Sequence, residues 1–435
     1  MKGQQSIGIG LLGLGVVGGG VAGALAAQKD ALSFRAGGLL SLRRVLVRDV
    51  NKPRSLEIEP SLVTGRVEDV LSDPSVHIVV ELMGGVEPAG DYIKRALKLG
   101  KHVVTANKDL VAQQGPELFE LARSSKAGLL FEGAVGGAIP IIGPLTRDLT
   151  ANDIHSIHAI INGTTNFILT NMAEKGMEAG DALALAQKLG YAESNPFNDV
   201  EGVDAAYKLS ILATLAFHSR VSPQQVFREG ITRLHARDFR YASELGYAIK
   251  LLAIAKRNSH TIEARVHPAL VPERHLLAKV GGAFNAIEVE GDLLGRAVFH
   301  GLGAGQGPTT SAVLGDVVEI ARRIATKAPP PSTPTMEKEL RVKNMAEIES
   351  RCYYRLKVAD RAGVLAQITR VLGDLNISIA NIIQKDTDLE NRTAEIVITT
   401  HPSKHSAVQK SVEQMERLKV VTEVSNLIRI EEMPT

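Results

Sequence analysis

Cysteine is almost absent: Cys352 is the only one in 435 residues. A single thiol excludes an intrachain disulfide framework and any cysteine-based metal site, and it is compatible with a reducing compartment. Aromatic residues are scarce, at 4% with no tryptophan, and no basic stripe interleaves with them to bind nucleic acid. An excess of one charge is missing too. Fifty basic against forty-eight acidic residues leave +2, so no global field draws the chain to nucleic acid or to an anionic membrane. No uninterrupted apolar run reaches transmembrane length. The apolar start, MKGQQSIGIGLLGLGVVGGGVAGALAA, lacks a clear basic n-region and reads as strand, turn and helix rather than a signal peptide. A cytoplasmic protein is expected.

What is present is an ordinary globular composition, 44% hydrophobic and 23% charged, in a chain long enough for roughly two to four domains. Ser6 to Leu12 reads as a buried strand that runs into the glycine-rich turn from Gly13 through Gly15, Val16 and Val17 to Gly18. A small-residue helix follows, Gly19 to Ala27. This is G-x-G-x-x-G between a strand and a helix, the context that gives the motif meaning. The first glycine permits a tight turn, the second lets backbone approach a pyrophosphate, and the third lets helix and strand pack closely. The helix N-terminus offers amides to the phosphates. A second strand is expected at Leu42 to Val47, followed by Arg48 and Asp49. An acid there suits the ribose hydroxyl of NAD and an arginine the 2′-phosphate of NADP. With Lys52 and Arg54 nearby, Arg48 tilts the choice toward NADP, although the three cations also read as a solvated loop.

Further strands are expected at His77–Leu82, His102–Thr105 and Gly128–Glu132, with helices at Ala89–Leu99 and Gly115–Ser125. That alternation predicts an α/β fold with a Rossmann-type doubly wound parallel sheet. Ligands sit beyond the carboxyl ends of such strands, which places Thr105 and Lys108 at the cofactor crevice. Lys108 is a candidate for nicotinamide or substrate contact, or a plain helix-start lysine. The loop from Glu132 to Pro140 is too glycine-rich for helix or strand, and its carbonyls can bind a hard cation or shape a binding floor. A strand at His155–Ile161 then enters the polar turn Asn162 to Asn166, which caps a helix or holds polar substrate groups. The stretch Gly190 to Lys208 gathers Glu193, Asp199, Glu201 and Asp204. A helix beginning near Gly202 puts Asp204 and Lys208 on one face, as a surface ion pair or as a positioned proton donor with its carboxylate. A second glycine-rich helix entry, Gly301 to Gly307, could return the chain to the crevice through a helix covering Ser311 to Ile320.

In order along the chain, GLGVVG, TANK, EGAVGGAIPII, INGTTNFIL, GYAE with DVEGVDAAYKL, and GLGAGQGPTTSAVLGD form a set that resembles homoserine dehydrogenase over essentially the full length. The resemblance implies reduction of L-aspartate 4-semialdehyde to L-homoserine with NADP or NAD. It gives Lys208 the acid/base role, assisted by Lys108, and gives Glu193 and Asp204 the substrate's ammonium group. Gly13, Gly15, Val16, Val17 and Gly18, with Arg48, Thr105, Lys108, Gly190 and Gly305, hold the dinucleotide. A monovalent cation, Na+ by expectation, falls to Glu132, Val135, Gly137 and Ile139, mainly through carbonyls. The family usually has an acid where this chain has Asn195, which bears on the charge of the loop and not on the reaction.

The proline-rich break from Lys327 to Thr335 is the clearest linker. Beyond it the pattern reads βαββαβ, a small α+β sandwich. Asp360-Arg-Ala-Gly363-Val364-Leu365 and Ile377-Ser-Ile resemble an ACT domain, which implies sensing of an amino acid, L-threonine by expectation, near Asp360, Gly363 and Val364; a purely structural module is the alternative. The domains expected are 1–135 for the dinucleotide and 136–326 for an α+β substrate-binding and dimerisation part. In the latter, a last helix near 308–326 returns to the first domain. A linker at 327–350 and a regulatory domain at 351–435 complete the chain. The partners expected are the small substrate and further copies of the chain, as homodimer or homotetramer, with no nucleic acid and no membrane. No kinase-like region precedes the glycine-rich turn, and a bifunctional kinase is not expected. Another nicotinamide-dependent oxidoreductase on this scaffold, or a non-catalytic sensor, remains open. Lys108 with Lys208 argues against the sensor, and Glu193 with Asp204 favours a substrate bearing an ammonium group.

Overall fold

In a computed structural model, strands and helices alternate through the first third of the chain, as short β-branched runs between glycine turns and helical segments dictate. The structure describes residues 5–53, 58–337, 339–388 and 390–433; Arg54, one of the three cations considered near the second strand, lies outside them. In order come β1 (Ser6–Leu12), α1 (Val16–Ala27), α2 (Lys29–Ala36), β2 (Leu39–Leu46), β3 (Val63–Thr64), α3 (Glu68–Leu71), β4 (Ile78–Glu81), α4 (Ala89–Lys98), β5 (His102–Thr105), α5 (Lys108–Ser124) and β6 (Leu129–Leu130). The middle adds β7 (Ile154–Ile160), α6 (Gly163–Lys175), α7 (Ala179–Lys188), α8 (Phe197–Val200), α9 (Val203–Phe217), β8 (Phe227–Arg228), α10 (Ala236–Glu244), β9 (Tyr247–Arg257), β10 (Thr261–Pro272), β11 (Phe284–Gly291), β12 (Gly295–Leu302) and α11 (Gln306–Thr326). The chain ends with β13 (Arg341–Val342), β14 (Glu349–Ala359), α12 (Val364–Asp374), β15 (Ile379–Asp388), β16 (Thr393–Thr400), β17 (Ser403–Lys404), α13 (His405–Glu416) and β18 (Val421–Ile430).

Two compact units result. One comprises Met1–Ile157, Tyr207–Pro223 and Ala286–Leu340; the other comprises His158–Ala206, Gln224–Asn285 and Arg341–Thr435. The first unit carries a six-stranded parallel sheet in the order β3-β2-β1-β4-β5-β6. The order reverses between β1 and β4, and the crevice at that switch point is where such sheets take a dinucleotide. Helix α11 joins this core: Val313, Val317, Ile320 and Ala321 pack with Ile7, Ile9, Leu11 and Val21. Each fully buried aliphatic side chain stabilises the fold by about 1.5–3 kcal/mol. The proline-rich segment after α11 has no helix or strand, yet it is tied down, because Arg323 and Arg123 donate to the carbonyls of Pro329 and Pro334, each at 3.0 Å.

Several boundaries differ from expectation. Helix α1 begins at Val16, because Gly15 already serves as its N-cap. Helix α5 begins at Lys108, since the Asn107 side chain accepts from the Leu110 amide and Pro116 is accommodated inside the helix. The strand expected at Gly128–Glu132 shortens to Leu129–Leu130 and gives way to a 3-10 turn at Glu132–Ala134.

In the second unit, β9 and β10 form a long antiparallel pair. β10 also runs parallel to β18, with Ala269 opposite Arg429 and Leu270 opposite Ile430. The C-terminal strands follow in the order β18-β14-β16-β15. Ile368, Leu372, Val408 and Met415 of α12 and α13 pack with Tyr354, Leu356, Ile396 and Ile398. Together these elements are the expected βαββαβ sandwich. It is fastened to α10 by a buried network in which Arg355 donates to Asp238 at 2.7 Å and to Glu395 at 3.3 Å, while Asn426 donates to Asp238 at 2.7 Å. Charges out of water persist in a fold when each is matched in this way.

Candidate active site

Backbone geometry builds the dinucleotide turn. Gly13 follows β1 with φ +100°, and a β-carbon there would stand 2.9 Å from the Leu82 carbonyl oxygen. A β-carbon at Gly18 would collide with the Gly13 carbonyl oxygen at 2.2 Å. Gly15 instead faces open space at the start of α1, which leaves room for a phosphate against the helix amides. Val16 is exposed at the helix mouth, whereas Val17 packs toward the core. Gly305 caps α11, and the side-chain amide of Gln306 donates to the Val16 carbonyl at 2.7 Å. Both glycine-rich helix entries therefore meet at one end of the sheet. Arg48 is exposed two residues past β2, and the Asp49 carboxylate accepts the Asn51 amide at 2.9 Å.

The ends of β4 and β5 are organised by Glu81, fully buried, whose role the sequence reading missed. Its carboxylate accepts the Thr105 hydroxyl at 2.6 Å and the amides of Met83 and Gly84 at 2.7 and 3.2 Å. The Thr105 side chain is thus turned to Glu81 and leaves its backbone to face the crevice. The available signal was a lone carboxylate closing the apolar strand HIVVE. Lys108 opens α5, one residue after its Asn107 cap. Helices α5 and α9 meet around Val111, Pro116, Ile211 and Leu215. The first unit therefore holds Lys108 and Lys208 on two packed helices, both side chains half-buried.

The loop after β6 is held by Glu132. Its carboxylate accepts the amides of Ile141, Ile142 and Gly143 at 2.6, 2.9 and 2.7 Å, and its own amide donates to Asp316 at 2.8 Å. Burial pushes the Asp316 carboxyl well above the usual range, and the charge of Glu132 adds to the shift. With the Glu132 side chain occupied, the carbonyl oxygens of Glu132, Val135, Gly137 and Ile139 are the groups left to bind a cation. They are oxygen donors of the kind a hard monovalent ion takes. No group of three or more His, Cys, Asp or Glu suited to a metal exists among the described residues.

The second unit presents the acidic stretch. Gly190, at φ +78°, closes α7. Glu193 is exposed in the following turn, and its carbonyl accepts from Gln187 at 3.0 Å. Asn195, where the family usually has an acid, accepts the Phe197 amide at 3.3 Å and helps to start α8. Asp204 lies in the first turn of α9, and Lys208 follows one turn later on the same helix. The Asn162 side chain donates to Asp199 at 2.7 Å and to Asp204 at 2.9 Å. In the C-terminal sandwich of this unit, Gly363 caps α12 with φ +83°, Asp360 is exposed, and Val364 is buried in the core. That leaves Val364 only its backbone to offer a ligand.

Known proteins match this arrangement throughout. The profile "Homoserine dehydrogenase, NAD binding domain" matches residues 13–132, "Homoserine dehydrogenase" matches 140–318 and "ACT domain" matches 355–420. The homoserine dehydrogenase of Corynebacterium glutamicum is 42% identical over 431 residues, 98% of this chain and 96% of its own. That of Bacillus subtilis is 37% identical over 98% of this chain and 99% of its own. A solved homoserine dehydrogenase from Thiobacillus denitrificans superposes with a TM-score of 0.91 at 42% identity, covering 99% of each chain. A hyperthermophilic archaeal homoserine dehydrogenase in complex with NADPH gives 0.62 at 26% identity, over 75% of this chain and 99% of its own. With the parallel sheet, both glycine-rich helix entries and the two lysine-bearing helices in place, the chain belongs to the homoserine dehydrogenase family of NAD(P)-dependent oxidoreductases.

Proposed function

We propose that the chain reduces L-aspartate 4-semialdehyde to L-homoserine with Lys208 as proton donor, prefers NADPH, and is regulated by L-threonine. The observation that carries the residue assignment is helix α9, which presents Asp204 and Lys208 one turn apart on one rigid element. When bound, the reduced nicotinamide supplies hydride to C4 of the aldehyde. Lys208 gives its proton to the C4 oxygen, and the positive charge of Lys108 stabilises the alkoxide as it develops. Glu193 and Asp204 hold the substrate's ammonium group. The dinucleotide lies along Gly13, Gly15, Val16, Val17 and Gly18, with Thr105, Gly190 and Gly305 completing its site through backbone. Arg48 pairs with the 2′-phosphate; the engagement of Asp49 with the Asn51 amide supports the arginine as the selecting group.

The cation is Na+, held by the carbonyls of Glu132, Val135, Gly137 and Ile139. Threonine binds at the start of α12, with amides near Gly363 facing its carboxylate and Asp360 its ammonium group. The buried links from α10 to β14 and β16 support a regulatory path into the substrate half of the same unit. Pairing with a second copy is supported by the edge strand β12, where Val298 and Leu302 are exposed. The test is steady-state reduction of the semialdehyde with NADPH and with NADH, with Na+ or Li+, and with added L-threonine. Faster turnover with NADPH, loss of rate in Li+ and inhibition by threonine are expected. Equal rates with both cofactors would remove the role of Arg48, and indifference to threonine would leave the C-terminal sandwich structural.

A further inference from the structure

Two carboxylates of the acidic stretch are joined by one neutral group. The Asn162 carboxamide nitrogen carries two hydrogens. One is donated to Asp199 Oδ1 at 2.7 Å and the other to Asp204 Oδ2 at 2.9 Å. Its oxygen faces the other way and accepts the Thr165 amide at 2.9 Å and the Thr165 hydroxyl at 3.0 Å, capping α6. The reverse orientation would aim oxygen at two carboxylates and an NH2 group at an N–H, so only one orientation is consistent. Asn162 is 6% exposed, which makes these bonds strong and their loss costly.

The turn that carries it is fixed from several sides. The Thr164 hydroxyl donates to the Tyr191 carbonyl at 2.6 Å, and the Tyr191 ring stacks on Phe167 with centroids 4.6 Å apart. Asn166 donates to the carbonyls of Val280 and Phe284 at 3.2 and 3.0 Å. The first turn of α6 thus grips the acidic stretch near both of its ends, at Tyr191 and at Asp199 with Asp204.

We propose that Asn162 is a positioning residue: its carboxamide clamps Asp199 and Asp204 at a fixed spacing, so that the acidic stretch is preformed to receive the substrate's ammonium group. Two like charges held close repel, and the N–H dipoles between them offset that repulsion before substrate arrives. The substrate then meets a charged site whose side chains are already ordered, which lowers the cost of binding. This inference rests on the assignment of the ammonium group to Asp204.

The experiment compares wild type with Asn162→Ser and Asn162→Asp, because serine and aspartate both retain a helix cap and neither keeps the NH2 group. The KM for the semialdehyde and the Kd for L-homoserine should rise about ten- to a hundred-fold, the span of one or two lost bonds to a charged group. The KM for NADPH should stay near wild type, while the Tm falls by a few degrees in both variants as the buried bonds are lost. The acidic limb of the kcat/KM profile should move to higher pH, furthest in Asn162→Asp, where a third carboxylate joins the pair. Unchanged KM, Kd and pH profile would overturn the clamp, as would a loss of kcat that tracks a fall in Tm. Wild type that binds NADPH but not L-homoserine would overturn the ammonium assignment instead. Carboxyl 13C titration of Asp199 and Asp204 in the same three proteins then decides the clamp without substrate. Raised midpoints in the variants support it, and equal midpoints overturn it.

Discussion

Lys208 stands one turn beyond Asp204 on α9, so one helix carries both the proposed proton donor and the proposed ammonium anchor. Lys208→Ala removes the donor and nothing from the dinucleotide turn. The expected outcome is a kcat lower by about 10²- to 10⁴-fold, with the NADPH dissociation constant by fluorescence titration unchanged; a kcat within threefold of wild type would transfer the role to Lys108. The local placement was legible in the sequence: Asp204 and Lys208 share one helix and the glycines form the turn after β1, as spacing alone suggests, whereas the chemistry assigned to them came from the family resemblance. Glu81 was not legible in this way, and Asn162 was legible only as a helix cap. Their importance comes from partners 24 to 42 residues away, Thr105, Asp199 and Asp204, and spacing carries no record of such pairings. Asn195 is a milder case: its bond to the Phe197 amide is one that an aspartate would also make, so the departure alters charge and leaves the turn intact.

The loop after β6 is held by its hydrogen bonds more than by its backbone pattern. Its sequence, EGAVGGAIPII, predicted carbonyls that bind a cation or shape a binding floor, and gave the Glu132 side chain no role of its own. The structure makes that side chain scaffold, since three consecutive amides converge on it. Glu132→Ala leaves those amides without their acceptor and should destabilise the protein by about 3 kcal/mol or more, read as a lower urea midpoint. Glu132→Gln keeps an acceptor and should lose less. Equal stability of the two variants would contradict the scaffold role. The strand expected through Glu132 ended early for the same reason, because tertiary partners at Asp316 and Gly143 took the backbone and side chain away from the sheet. Helix α5 ran longer than expected toward its N-terminus because the Asn107 cap outweighed the glycine and proline that follow.

Across the whole molecule, the doubly wound sheet and the C-terminal βαββαβ sandwich followed from periodicity and glycine punctuation. What local spacing carries no trace of is that the C-terminal sandwich shares a unit with α10 and β10. Histidines in both units favour their neutral forms. His77 and His102 are pushed down by burial, as is His267, and each accepts or makes hydrogen bonds in its neutral form. Burial, with the charges of Arg429 and Arg265, lowers His405 to about 4 from 6.5. Between those values the unfolded chain binds a proton that the folded chain refuses, so this contribution is complete above pH 6.5 and is lost as pH falls toward 4. Urea unfolding should therefore lose about 2 kcal/mol more between about pH 7 and about pH 5 in wild type than in His405→Gln; parallel curves would contradict it. Isotope transfer reports on hydride delivery to the C4 aldehyde without reliance on any one residue. The protein is given L-aspartate 4-semialdehyde and NADPH deuterated at both C4 positions of its nicotinamide, and the product is read by mass spectrometry and NMR. One deuterium at C4 of L-homoserine for each NADPH oxidised is the predicted result. NADPH oxidation without labelled homoserine, or no oxidation by folded protein that binds NADPH, would contradict it.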